Sequence, residues 1–403
     1  MTTNPYSSLL SKRVQNLAPS GIRAFFELVI GMKDIISLGV GEPDFDSPWA
    51  ARESAIFAIE HGHTTYTSNK GLLELRKMVS QYLSKRYRLD YDPENEILIT
   101  VGVSEAMDLA IRAILNPGDR VIIPEPCFVS YHPMVYLSGG EPLYLSTRPE
   151  NQFKMSPGEL EKFKDSSAKA IILNYPSNPT GASYSESELK AIAKTIRRLG
   201  LFVISDEIYG ELTYEGQHTA FPSLPGMKER TLYLNGFSKA FAMTGWRIGY
   251  AAGPKDVIEA INKIHQYTIM CAPIMSQWAA CEVLRNPEAL ISQMKKEYER
   301  RRNYVVGALK DIGLDCIHPS GAFYAFASIR KTNLDSVTFA KKLLETEKVA
   351  VVPGVAFGPS GEGFVRISYA TSLEQLKEAL ERIKRFLSRT SALADLNHRL
   401  KKI

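Results

Sequence analysis

The sequence holds only four cysteines in 403 residues: Cys127, Cys271, Cys281 and Cys316. None forms a C-x-x-C pair, and none is spaced with histidine as metal ligands are. That excludes a disulfide scaffold and a zinc module, and free buried thiols in a reducing compartment are expected. Long apolar runs are missing too: none approaches the ~18 residues that a membrane-spanning helix needs. The N-terminal MTTNPYSSLLSKRVQNL is polar and lacks the apolar centre of a signal peptide. These absences together lead to the expectation of a cytoplasmic protein. There is also no block of one charge. The net charge is +5, but the short basic runs RRLG (197–200) and RRR (300–302) lie in helical patterns with acids nearby. They read as solvated helix faces and not as a nucleic-acid patch. Internal repeats and low-complexity stretches are absent.

What remains is ordinary globular composition, 44% hydrophobic and 23% charged, at a length that suits two domains. Continuous apolar runs predict strands at 96–101, 120–124, 169–174, 201–206, 231–235 and 248–253, each buried on both faces. Helical patterns fall between them at 71–88, 103–115, 157–164 and 185–199, the last opening on a Ser185/Glu188 capping box. Such alternation gives an α/β fold with a mostly parallel sheet between helices. After residue 286 the pattern changes to a long charged helix (287–312), GAFYAFASI, a helix at 335–347, KVAVVPG, GFVRISYA and a final helix from 372. This reads as a smaller α/β domain, joined by the N-terminal segment. The expected domains are 47–286 and 1–46 with 287–403. The tail after 388 is expected to be a peripheral helix or frayed.

The middle strands deliver polar residues to one sheet edge, where ligands of open α/β sheets gather. Strand 201–206 ends in Asp206, strand 169–174 runs into NYPSNPTG, and strand 231–235 leads into NGFSK. A buried acid normally needs a positive partner. The run GFSKAFAMTGWRIGY sets Lys239 among small residues with Arg247 eight positions on. A solvated lysine requires no such setting, whereas a lysine in a tight turn against a bound anion does.

From SLGVGEPDFDSP to VRISYA the chain resembles the class I pyridoxal-phosphate-dependent aminotransferases of fold type I, with five motifs in family order. The resemblance implies that Lys239 is the Schiff-base lysine, its amine carrying the proton between substrate and cofactor. It makes Asp206 the partner of the pyridine nitrogen, and Tyr209 and Asn178 the donors to the ring's phenolic oxygen. Alone, Asn178 would read as a turn residue before proline. Arg247 and Ser238 would hold the phosphate with the amides of Val103, Ser104 and Glu105 at a helix start. Phe128 would stack on the ring, and Tyr66 would reach the phosphate of a neighbouring subunit, which implies a homodimer with a shared site. Arg366 would grip the substrate carboxylate, beside the Gly41 backbone. One departure is Gly236, where some relatives carry a serine; one phosphate contact is then lost or passed to water.

Substrate choice is less determined. An aspartate-specific branch of the family has a lysine where this chain has Ser104. Ile22, Phe25 and Phe26 fall in the segment that covers the substrate pocket in relatives, and with Phe128 they suit an aromatic or large apolar side chain. The expected reaction is transfer of an amino group to a 2-oxo acid, 2-oxoglutarate by family resemblance. Aspartate, alanine and N-acetyl-diaminopimelate donors stay open. So does a carbon–sulfur lyase, which shares the site but directs the carbanion elsewhere. A cofactor-binding regulator ranks last, because no spare DNA-binding segment precedes the fold.

Overall fold

The computed structural model describes residues 6, 8–19 and 32–400, with side chains in the last helix as far as Thr390. Ile22, Phe25 and Phe26 lie outside the described residues. In chain order the strands are β1 (Ile36–Ser37), β2 (Ile97–Thr100), β3 (Arg120–Glu125), β4 (Glu141–Ser146), β5 (Ala168–Asn174), β6 (Phe202–Asp206), β7 (Thr231–Gly236), β8 (Gly249–Ala252), β9 (Tyr324–Ser328), β10 (Val349–Ala350), β11 (Val352–Pro353) and β12 (Phe364–Ser368). Seven of them form one sheet in the order β2-β8-β7-β6-β5-β3-β4. β8 runs antiparallel to β2 and β7, and every other pair is parallel.

The apolar runs split by alternation, because successive side chains leave a strand on opposite faces. Leu98, Ile172, Ile204, Leu232 and Leu234 go to one face, under helices Gly102–Ile114 and Lys255–Thr268. On the other face, Ile97, Ile99 and Tyr233 meet helices Trp49–Glu60, Leu73–Tyr87 and Ile274–Arg285. Ile171, Leu173 and Val203 on that same face meet helix Glu186–Leu199. Ser185 and Glu188 close the expected capping box on this last helix. The six expected strands all form. β4 lies outside the expected set: as an edge strand it buries only Leu145, so it carries no continuous apolar run. The helix expected over 157–164 stops at Glu161.

The second lobe is an antiparallel sheet, β11-β12-β9. Helices Pro287–Asp311, Ser336–Glu347 and Leu373–Leu400 pack with it around Phe323, Phe339, Leu343 and Ile383. β1 pairs in parallel with β10, which ties the segment before residue 47 to this lobe. All four cysteines are free; Cys127 and Cys281 are buried, whereas Cys271 and Cys316 are half-buried. Among the described residues no helix is long and apolar enough to cross a membrane, and no cluster of His, Cys, Asp and Glu could hold a metal ion.

Candidate active site

The carboxyl ends of β5, β6 and β7 lie side by side, with Asn174 opposite Asp206 and Asp206 opposite Leu234. β7 then turns through Phe237 and Ser238 to Lys239. A cavity of about 310 Å³ opens over these ends, and Lys239, Asp206, Tyr209, Asn178, Arg247 and Arg366 stand on its wall. Gly41, Val103, Ser104, Phe128 and Ser238 share that wall. Residues separated by up to 325 positions in the sequence are thus brought to one small volume by the parallel sheet and by β12 above it.

At the floor, Asp206 accepts a hydrogen bond from Tyr131 Oη at 2.7 Å and another from the Ile208 amide at 3.3 Å. Burial pushes its pKa up to about 6, against the opposing pull of the Tyr131 hydroxyl. Asn174 ties the floor together: its Nδ2 donates to the Asp206 carbonyl at 2.9 Å, and its Oδ1 accepts from the Asn178 amide at 3.0 Å. Lys239 Nζ donates to the Gly41 carbonyl at 2.6 Å. Burial pushes this amine down to about 8.

At one end of the cavity, helix Gly102–Ile114 begins with no side-chain cap, so its first-turn amides are open to an anion. Gly102 has φ +73, and a Cβ there would lie 2.8 Å from Arg247 Nη2. Only glycine lets the guanidinium lie against the helix start. Arg247 itself is left-handed, φ +51, and donates Nη1 to the Thr244 carbonyl at 2.9 Å. The Glu105 side chain turns away from the cavity: it accepts from the Val101 amide and pairs with His265 Nδ1 at 2.7 Å. Glu105 is not on the cavity wall, and only its first-turn backbone amide is left to serve an anion there. At Gly236 a Cβ would fall 2.8 Å from Gly249 Cα, so β7 and β8 would have to separate to admit any side chain there.

At the other end, Arg366 donates Nη1 to Asn178 Oδ1 at 2.8 Å and Nη2 to the Gly39 carbonyl at 2.6 Å. No carboxylate pairs with it among the described residues. The loop that supplies Gly39 and Gly41 is pinned to the second lobe, where Arg301 Nη1 meets both Asp44 oxygens at 2.8 Å. Tyr66 is not on the wall; it is 79% exposed on the surface of its own chain.

Three wall or floor residues escape a reading by motif alone: Tyr131, Asn174 and Tyr324. Tyr131 follows Phe128 by three positions, and the two rings meet edge to face at 5.6 Å. Asn174 ends β5 as Asp206 ends β6, a parallel that points to it. Nothing local marks Tyr324, whose place depends on how β9 pairs with β12.

A model of the family described as aminotransferase class I and II matches residues 33–383. The chain is 54% identical over 385 residues to the putative aminotransferase YugH of Bacillus subtilis, covering 96% of this chain and 100% of that one. It is 44% identical to aromatic-amino-acid aminotransferase 2 of Thermococcus litoralis, covering 94% and 98%. The aspartate aminotransferase of Thermus thermophilus, solved with maleate, superposes with a TM-score of 0.89 at 40% identity, over 93% of this chain and 99% of that one.

Proposed function

Because this chain belongs to the aminotransferase class I and II family, we propose that it moves the amino group of an L-amino acid, aromatic or large and apolar by preference, to a 2-oxo acid such as 2-oxoglutarate, with pyridoxal phosphate as cofactor. The observation that carries the reading is a half-buried amine of lowered pKa, Lys239, in one cavity with a buried acid and two arginines that no carboxylate neutralises among the described residues.

The residues fit that cofactor chemically. The helix start, Ser238 and Arg247 suit a phosphate. Asp206, buried with no cation bonded to it among the described residues, suits a protonated ring nitrogen. When bound, pyridoxal phosphate supplies an aldehyde for amine capture and a ring that takes up the electron pair left on the substrate α-carbon. Asp206 keeps the ring nitrogen's proton in place. Asn178 and Tyr209 would donate to the ring's phenolic oxygen, and Phe128 would stack on the ring. Arg366 grips the substrate α-carboxylate and so fixes which bond at the α-carbon faces the Lys239 amine. Lys239 moves the proton of the substrate α-carbon, since its lowered pKa of about 8 leaves an appreciable fraction of the amine neutral at physiological pH. Tyr66 of a second copy completes the phosphate site. Its exposure here, together with exposed Trp49, Ile56, Phe57 and Ile59 on one helix, suits a homodimer. Residues 47–286 and 1–46 with 287–403 are the two domains that enclose the substrate.

The composition of the wall supports the apolar preference. Its cations among the described residues are Lys239, Arg247 and Arg366, each already assigned, and Met107, Met134 and Ile208 add apolar surface beside the uncharged Ser104, Thr244 and Tyr324. A distal carboxylate therefore meets no spare charge on this wall. A screen of aromatic, aspartate, alanine and diaminopimelate donors against 2-oxoglutarate, with a cysteine conjugate included, tests this. The expected result is glutamate formation, fastest with aromatic donors. Aspartate as the fastest donor would overturn the side-chain preference, and pyruvate with ammonia from a cysteine conjugate would favour the lyase.

A further inference from the structure

Arg366 is a buried cation without a counter-ion among the described residues, and its Nε finds no hydrogen-bond partner. Such a charge is costly to bury. What stands beside it is aromatic: the guanidinium carbon lies 4.4 Å from the centroid of the Tyr324 ring and 4.9 Å from that of Phe357. The strand register creates the first contact. Arg366 on β12 faces Phe326 on β9, so Tyr324, two residues earlier, is its diagonal neighbour on the same face. A ring face attracts a cation without neutralising it. The guanidinium is thus held while its charge stays available to an incoming carboxylate.

The other end of the same side chain meets different groups. Tyr324 Oη lies 2.8 Å from Tyr209 Oη. It also lies 2.5 Å from where a Cβ on residue 41 would be, so Gly41 is a glycine because this phenol occupies its side-chain space. The Gly41 carbonyl in turn accepts from Lys239 Nζ. Tyr324 is buried, with its phenol close against the Gly41 backbone. When Tyr324 donates to Tyr209 Oη, the Tyr209 proton is left to point elsewhere, into the cavity.

We propose that Tyr324 is a positioning residue with two separable parts: its ring is the platform that holds the Arg366 guanidinium for the substrate carboxylate, and its hydroxyl sets the direction in which the Tyr209 phenol donates. The proposal rests on the roles given above to Arg366 and Tyr209. Holoenzymes carrying Tyr324→Phe, Tyr324→Leu and Arg366→Leu separate the two parts. The probe is hydrocinnamate, an aromatic monocarboxylate with no amino group to transfer, and its affinity is read by calorimetry. The visible absorbance band of the bound cofactor is titrated with pH in parallel. Tyr324→Phe keeps the platform, so it binds the probe within about twofold of the parent, but the midpoint of its band shifts. Tyr324→Leu removes the platform and weakens the probe about tenfold, of the order of one cation–π contact. If Tyr324→Leu binds the probe as the parent does while Arg366→Leu loses it, the platform is wrong. If Arg366→Leu also keeps the probe, the role of Arg366 itself falls. An unchanged titration midpoint in Tyr324→Phe overturns the hydroxyl's part, and this measurement stands even if the leucine variant does not fold.

Discussion

At the scale of single residues, the proposed chemistry turns on one amine held away from water. A lysine in water keeps its proton up to about pH 10.4, so at neutral pH almost none is nucleophilic. Lys239 is taken out of water by the lobes around it, which lowers its pKa from 10.5 to about 8; Arg366 and Arg247 push in the same direction, and Glu42 pushes against them. The neutral fraction at pH 7 rises a few hundredfold by that change, at a factor of ten per pH unit. The sign gives a test on the apoprotein. Capture of pyridoxal phosphate, followed as growth of its visible band, should quicken about tenfold per pH unit below pH 8 and level off above it. Lys239→Ala should form no such band at any pH. A capture rate that keeps climbing to pH 10 would mean that the amine is not desolvated as the cavity implies.

At the scale of elements, the site is a consequence of close approach. Helix Gly102–Ile114 must start almost in contact with Arg247 and β8, and glycines at 102, 236 and 249 make that approach possible. Gly102→Ala should therefore act twice. A left-handed φ of +73 costs a residue with a Cβ about 1–2 kcal/mol. The new methyl would also displace the Arg247 fork from the helix start. The expected outcome is a melting temperature a few degrees lower, with cofactor affinity reduced at least about tenfold; cofactor binding by fluorescence quenching checks it, and unchanged affinity would remove the helix start and Arg247 as the phosphate site. Elements of this kind were legible in the sequence to different degrees. β5, β6 and β7 announce themselves because strands buried on both faces are unbroken apolar runs, and their polar ends mark the site. Helices Trp49–Glu60 and Ile274–Arg285 do not, because they pack on each other as well as on the sheet and carry no clean amphipathic stripe. Lys239, Asp206 and Arg247 sit in local motifs and could be named from them. Tyr131 and Tyr324 act through partners distant in sequence, and only strand register and loop packing reveal those.

At the scale of the whole molecule, the exposed side chains are as informative as the buried ones. Trp49, Ile56, Phe57 and Ile59 lie on a single helix, and Tyr66 follows shortly after it, all with a third or more of their surface open to water. In the homodimer proposed above, a second copy of the chain would cover this face. Were Tyr66 to serve the neighbour's cavity, each site would take Lys239 from one chain and Tyr66 from the other. Two defective chains should then rescue one another. Lys239→Ala dimers have no amine in either site, and Tyr66→Ala dimers have no tyrosine in either. In the mixed dimer, one site receives both defects and the other receives neither. Unfolding and refolding the two variants together at equal amounts should place about half of the chains in mixed dimers, restoring about a quarter of the parent's sites. The measurement is turnover of the refolded mixture against each variant refolded alone. Activity equal to the average of the two variants would show that each chain builds its site by itself, and Tyr66 would then be a surface tyrosine with no part in the chemistry.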